Sequence, residues 1–493
     1  MMDSMSPALR GSLSRHLRCL AMASVTVLAG CALIHHDSAP VQQVDATQVE
    51  LPQQLDVTAG DWPSEKWWLQ YDDLQLTAFI DRALSASPTM ALAHQRVAQA
   101  QARAELVAAA SGPQVSAIGS VDRERVSSHG FLSAYSGFEP AIGANGPWYT
   151  TGLIGLGGAW DLDIWGRHRA EIAAAIGAEN AQKAEAAQVA LELSTGVARL
   201  YYSVQTALSA IDLLKRERDA IAVEVDAHRS KIARGLEPET TAKQAEAKLL
   251  SVEQKISQSS DEVTNGLEAM RALIGADSRE PVDIAPKTLP VVATGVPSKL
   301  GFQLLARRPD LQALHWYVVS SLKQVAAAKA AFYPTFDIKA FFGFNALDLS
   351  QLFLHASQQI NIAPGLYLPV FDSGRLNANL SGERAASNAV ILQYNQAVLN
   401  AVRDVAQTGS ALKDLDERTI MQQRKLQAVQ FTLDSASAQY ARGLANRLQV
   451  EQARETEIQE QLAMLQLTAQ SLQQSIVLTR TLGGGYQAEG DLR

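Results

Sequence analysis

Gly152-Leu153-Ile154-Gly155-Leu156-Gly157-Gly158-Ala159-Trp160-Asp161-Leu162-Asp163-Ile164-Trp165-Gly166-Arg167 changes its period partway along. Ile154, Leu156, Trp160, Leu162 and Ile164 alternate with Gly155, Gly157, Asp161 and Asp163, the signature of a strand with one apolar and one polar face. After Gly166-Arg167 the alternation stops, and an alanine-rich helical pattern runs to Ala233. At about 1.5 Å per residue a helix of roughly 67 residues is on the order of 100 Å long. A two-faced strand feeding so long a rod sets the fold problem.

Upstream, residues 115–126 also alternate, and a Gly-, Ser- and Pro-containing loop at 127–149 joins the two strands, 115–126 and 151–164. Before them Asp72–Ala110 reads as two helices, broken at Ser87-Pro88 and stopped at Ser111-Gly112-Pro113. Downstream, the turn Arg234-Gly235-Leu236-Glu237-Pro238 leads into a second helix, giving a helical hairpin over 167–274.

The same order then recurs. Pro309 opens a helix that ends at Tyr333-Pro334, and strands are expected at 335–344 and 358–370. A second hairpin over 375–482 turns at Arg442-Gly443-Leu444. Gly374-Arg375, Arg442 and Gln452-Ala453 lie 208 positions after Gly166-Arg167, Arg234 and Gln244-Ala245. Pro309 and Pro334 lie 221 positions after Pro88 and Pro113, so the first copy carries 13 extra residues, placed in the loop at 127–149. The expected organisation is a first repeat at 62–292, a second at 293–484 and a tail at 485–493.

Beyond the N-terminus no stretch of 18 uncharged apolar residues is present, so a membrane would have to be crossed by strands. An open sheet leaves unsatisfied backbone at its edges, and four strands cannot close a barrel. Oligomerisation must complete it. A dimer supplies eight strands and a trimer twelve, and the sequence physics leaves both open.

The net charge of −8, with 43 basic and 51 acidic residues interspersed, speaks against a nucleic-acid partner. Histidines are scattered and no His-Glu-x-x-His, Gly-x-Ser-x-Gly or phosphate-binding loop occurs, so an enzyme is not expected, nor a cofactor. Asp161 and Asp163 could pair on a metal, but two residues apart on a strand they are read as facing water, and no metal site is assigned.

Residues 1–30 read as an export signal: Arg10, Arg15 and Arg18, then an apolar stretch from Cys19 to Ala29, then small residues before a cut. Leu28-Ala29-Gly30-Cys31 resembles the bacterial lipoprotein box. That resemblance implies S-diacylglycerol and N-acyl chains, palmitate among them, on Cys31, an essentially permanent anchor. Ala32 in place of aspartate implies sorting to the outer membrane. Residues 31–61 are expected to be an extended tether, with order beginning near Trp62. With Cys19 removed and Cys31 acylated, no internal disulfide is available.

The duplicated order resembles the TolC-like outer-membrane efflux factor family, in its NodT-type lipoprotein group. The strings that carry the likeness are Asp37-Ser38-Ala39-Pro40, Gly130-Phe131-Leu132-Ser133, Leu305-Ala306-Arg307-Arg308-Pro309-Asp310-Leu311, Phe332-Tyr333-Pro334, Gly374-Arg375-Leu376-Asn377-Ala378-Asn379-Leu380 and Leu482-Gly483-Gly484-Gly485-Tyr486. The resemblance implies a mainly α fold with a membrane β-barrel: a homotrimer with a twelve-strand barrel in outer-membrane lipid above a twelve-helix periplasmic tunnel. It implies a passive exit duct of a tripartite multidrug efflux pump, partnered by a periplasmic membrane-fusion adaptor and an inner-membrane efflux pump. A type I protein-secretion duct and a non-channel envelope-spanning lipoprotein are the alternatives. By the same likeness Arg234, Gly235, Leu236, Arg442, Gly443 and Leu444 dock the adaptor. Tyr440 helps hold the mouth shut. Gln449 and Gln452 stand where relatives carry gate aspartates, with Glu451 or Glu455 able to serve after a small helix rotation.

Overall fold

The structure, a computed structural model, describes residues 37–44, 61–127, 129–130, 138–139, 144–145, 148–291, 295 and 307–487. Residues 1–30, Cys31, residues 131–133 and 305–306 of the quoted strings, and the tail from 488 lie outside the described residues. The elements are α1 (Leu74–Ala86), α2 (Pro88–Ala110), β1 (Gln114–Arg125), two-residue strands β2 (Phe138–Glu139) and β3 (Ala144–Asn145), and β4 (Trp148–Leu162). There follow α3 (Arg167–Ile232), α4 (Glu239–Leu273), α5 (Pro309–Ala330), β5 (Thr335–Ala346), β6 (Gln358–Tyr367), α6 (Arg375–Ala441) and α7 (Arg447–Thr481).

Two compact units emerge, one from residues 1–42, 99–180 and 316–392, the other from 43–98, 181–315 and 393–493. Each draws on both halves of the chain, so the repeats at 62–292 and 293–484 are units of sequence and not of packing.

The first unit holds a four-stranded antiparallel sheet in the order β1-β4-β5-β6, in which β4 and β5 join the two repeats. Its register puts Val115, Leu156, Trp160, Phe342, Ile360 and Ile362 on one face, all exposed. The other face carries Ser116, Ser120, Gly155, Gly157, Asp337, Lys339 and Asn361. Gly155 and Gly343 oppose each other so closely that a Cβ on either would meet the neighbouring strand's carbonyl oxygen, at 2.5 and 2.2 Å.

Several strand ends differ from the sequence reading: β1 is shifted by one residue, β4 begins at Trp148 and not 151, β5 runs on to Ala346, and two strands end early. β6 stops at Tyr367 and not at 370, because its partner β5 begins opposite, at Thr335, and Pro369 has no N–H to donate. β4 stops at Leu162: Asp163 leaves the ladder and accepts from the backbone N–H groups of His168 and Arg169 at 3.0 and 2.9 Å, capping α3. Asp161 meets His168 instead, at 3.2 Å. The pair therefore does not share a strand face. Asp372 caps α6 in the same way, through Leu376 N–H at 2.8 Å.

Trp165 stacks on Tyr333 at 4.9 Å and donates its indole N–H to the Pro334 carbonyl at 2.9 Å, which explains the Phe332-Tyr333-Pro334 string. Below it Val325, Ala328 and Phe332 pack on Leu376 and Leu380. α3 and α5 cross at Gly177 against Ser320, whose hydroxyl donates to the Ala174 carbonyl at 2.7 Å.

The second unit is centred on Trp67, Trp68, Tyr71, Leu76, Ile80, Tyr201, Tyr202, Met270 and Ile476. Asp73 caps α1 through Gln75 and Leu76 N–H and accepts from the Tyr201 hydroxyl at 2.9 Å, tying helix start to core. The triple glycine after α7 fits against two backbone segments. At Gly483 (φ +90°) a Cβ would lie 1.8 Å from the Arg307 carbonyl oxygen, and at Gly485 (φ +81°) 2.1 Å from Ser64.

Order begins earlier than Trp62. Residues 37–44 lie on helical wall: Asp37 pairs with Arg384 and Lys329, and Val41 N–H donates to Asn388 at 3.0 Å. The partners are some 290 to 350 positions away, too remote for any local pattern to mark.

Candidate functional site: the hairpin ends

The two hairpin turns are built alike. Gly235 and Gly443 both have φ +73°, with Gly235 N–H donating to Ile232 and Gly443 N–H to Tyr440, at 2.8 and 2.9 Å. Leu236 and Leu444 N–H close the wider ring onto Lys231 and Gln439 carbonyls, both at 2.9 Å. Nothing lies within 4 Å of a Cβ added at either glycine, so conformation alone demands glycine there. The turns project Leu236 and Leu444, 69% and 76% exposed, next to Arg234 and Arg442. The same pairing of an exposed apolar side chain with a cation is thus repeated in both halves.

Behind the tips the hairpins are joined by charge. Lys248 on α4 bonds Glu455 on α7 and lies 3.5 Å from Glu224 on α3. Gln452 of α7 donates to the same Glu224 at 3.5 Å. His228 sits between Glu237 in the turn, 2.6 Å away, and Glu224, at 3.7 Å; Lys231 holds the other oxygen of Glu237 at 2.8 Å. Across the second hairpin Lys425 of α6 pairs with Glu460 of α7 at 2.8 Å, and Gln422 donates to it.

Partial burial works against the Lys248 charge, but its bonds to Glu455 and Glu224 outweigh that and hold its pKa above the ordinary lysine value. Bonds from Lys231 and His228 hold Glu237 below the usual carboxylate value, and bonds from Lys425 and Gln422 do the same for Glu460.

Depressed carboxylates stabilise the folded ends above their unfolded pKa, near 4.5, and that contribution is lost as pH falls through the lowered folded values. For Lys248 the sign is opposite: its contribution is present below 10.5 and lost as pH rises through the raised value. The lysine–carboxylate pairs are therefore complete between about pH 5 and pH 10. Hydrogen exchange at the Leu236 and Leu444 amides, corrected for intrinsic rate, is expected to accelerate below about pH 4. Unchanged protection at pH 3.5 would show that these pairs do not hold the tips.

The residues expected at the gate fall in different places. Tyr440 is half-exposed on the last turn of α6. Gln449 is occupied elsewhere: it forms a capping box with Asn446, each side chain bonding the other's backbone N–H at 2.9 and 3.0 Å. Gln452 joins the inter-hairpin network. Glu451 is buried and paired on its own helix with Arg454 at 2.8 Å and Arg447 at 3.7 Å. Glu455, equally buried, is neutralised by Lys248. Both carboxylates are thus paired with cations in this arrangement of the helices.

Above the ends, α3 and α7 lie side by side, joined by Arg199 to Gln473 at 3.0 Å and Gln459 to Glu217 at 3.2 Å. With α4 and α6 they border a groove of 1230 Å³. Its charged lining is balanced, Arg199, Lys255 and Arg418 against Glu217, Glu262 and Asp414, between many glutamines. The opposite face of α3, through Tyr201 and Val197, packs into the core around α1. Among the described residues no helix is long and apolar enough to cross a membrane, and no group of three or more His, Cys, Asp or Glu is placed to hold a metal ion.

Residues 79–276 and 300–484, the two halves separately, match the outer membrane efflux protein family, and the chain belongs to it. It is an efflux exit duct of the outer membrane. It is 49% identical over 476 residues to multidrug resistance outer membrane protein MdtP of Escherichia coli K12, covering 97% of this chain and 98% of that one. Multidrug resistance outer membrane protein MdtQ of Escherichia coli O157:H7 is 40% identical over 471 residues, covering 94% and 96%. The crystal structure of outer membrane protein VceC from Vibrio cholerae superposes with a TM-score of 0.77 at 27% identity, covering 86% of this chain and all of that one.

Proposed function

We propose that three copies of this chain close a twelve-strand barrel in the outer membrane, anchored by acyl chains on Cys31, above a twelve-helix periplasmic tunnel that passes small toxic compounds outward. The observation that carries this reading is the sheet: one apolar exposed face, one polar face rich in glycine, and two free edges, β1 and β6, on opposite sides. Such a sheet suits a wall between lipid and water only when closed, and closure needs further copies. The cargo follows the name that MdtP carries, and the balanced groove lining fits a wall that does not sort compounds by charge. A periplasmic adaptor bridging to an inner-membrane pump docks at Arg234, Gly235, Leu236, Arg442, Gly443 and Leu444, and its binding parts the hairpins around Tyr440.

The test is single-channel recording in a planar bilayer with the purified, acylated protein and a Tyr440→Phe variant. Small or flickering current is expected, enlarged severalfold by the substitution, loss of one hydrogen bond being worth about 1 kcal/mol. Absence of current in both, despite confirmed insertion, would sink the duct reading.

A further inference from the structure

Arg384 is 6% exposed, and a guanidinium so buried needs an anion. The carboxylate that meets it is Asp37, 347 positions away, through two bonds of 2.8 and 3.0 Å. Lys329 of α5 holds the same carboxylate at 2.5 Å, and Asn388, one turn on from Arg384 along α6, accepts Val41 N–H at 3.0 Å. Further along, Asn395 accepts Val44 N–H at 2.8 Å. The bonds from Arg384 and then Lys329 hold the Asp37 carboxyl well below the usual carboxylate range, so the clamp is charged at any physiological pH. The α5–α6 wall thus carries two cations and an amide set out to receive one N-terminal segment.

Chain lengths give that seat a purpose. Arg384 lies nine residues into α6, about 14 Å along the helix from Arg375 and the strand ends. Cys31 lies six residues before Asp37, a reach of about 20 Å when extended. From Asp37 the anchor cysteine therefore reaches the level where the sheet begins, with little chain to spare. Given that Cys31 is acylated, as proposed above, we infer that Asp37, Arg384, Lys329 and Asn388 form a clamp that fixes the working length of the lipid tether, so that anchor and sheet meet the membrane at one height.

The full-length chain is expressed with its own signal in a Gram-negative envelope, and the mass of the Cys31 peptide is read before assembly is measured. Four versions are compared: unaltered, lacking residues 34–36, Asp37→Asn with Arg384→Met, and all changes together. Removing three residues leaves about 10 Å of reach, short of the roughly 14 Å required. The SDS-resistant assembled fraction is expected to fall about tenfold on shortening and to recover to within about twofold once the clamp is also released, the clamp being worth one charge-assisted bond. Exchange of the 38–44 amides is expected to rise about tenfold in the released chain. Replacing residues 34–36 by Gly-Ser-Gly keeps the length and is expected to leave assembly unchanged. Lys329→Met serves as the release should Arg384→Met not fold. Shortening tolerated with the clamp intact, or a loss that persists after release, would overturn the inference. An unacylated Cys31 peptide in the unaltered protein would instead overturn the anchor itself.

Discussion

Replacing Lys248 with methionine is expected to raise the conductance of the duct about tenfold at pH 7, with helical content unchanged. Methionine keeps much of the aliphatic stem, so packing is conserved while the charge is lost. Glu224 and Glu455, 11% and 8% exposed, then share a site without the cation that reconciles them. Like charges about 4 Å apart at an effective dielectric of 20 repel by about 4 kcal/mol, and even a third of that is a factor of ten. Parting α7 from the first hairpin relieves it. Lys248→Arg is expected to behave as the parent, and Glu455→Gln added to Lys248→Met to return conductance most of the way. A lowered melting temperature with unaltered conductance in Lys248→Met would reduce this lysine to a packing role.

The second large effect is expected at the end of α7. Gly483→Ala combines a backbone at φ +90° with a Cβ that would overlap the Arg307 carbonyl oxygen at 1.8 Å, its carbon at 2.6 Å and Arg308 nitrogen at 3.1 Å. All three are backbone atoms, and Arg308 is itself fixed by Asp310 and by the Thr481 carbonyl. No side chain can swing aside. A loss of about 3 kcal/mol is expected, roughly 3 °C in the melting temperature of a chain this long, followed by circular dichroism. Gly443→Ala has equal reason for strain in φ but open space around it, and about 1 kcal/mol is expected there. Equal shifts for the two would mean that close approach at Gly483 contributes nothing.

Features that depend on near neighbours were legible in the chain. The repeat, the two Arg-Gly-Leu turns and the alternating strands are local patterns, and they recur in the same order, at an offset of 221 up to the first strand and of 208 from Gly166 onward. The capping box at Asn446 and Gln449 was equally local, an Asn followed three residues later by Gln. Asp163 shows the limit of alternation, which does not say where a ladder runs out of partners. The charged network was not legible, because Glu224, Lys248 and Glu455 sit on three helices and each alone reads as a solvated surface residue. Nor does duplication help. The positions 208 residues after Glu224 and Lys248 are Thr432 and Thr456, and 208 before Glu455 is Ala247. The copies agree at the tips and differ behind them, so the repeat locates the surface and conceals the latch.

The strand order β1-β4-β5-β6 has a kinetic consequence. β1 belongs to the first copy and β6 to the second, so in the barrel proposed above one chain's free edge would meet the other edge of the next, and growth would run head to tail until the ring closed. Each addition is a bimolecular encounter, and until the last one every intermediate carries bare backbone that any extended segment could occupy. Confinement to a surface by the proposed acyl anchor on Cys31 would replace a search through volume by a search in two dimensions and raise the effective concentration of newly exported chains. Assembly yield should therefore depend on areal density rather than on total expression, and chains released into the periplasm should be lost to aggregation before they meet.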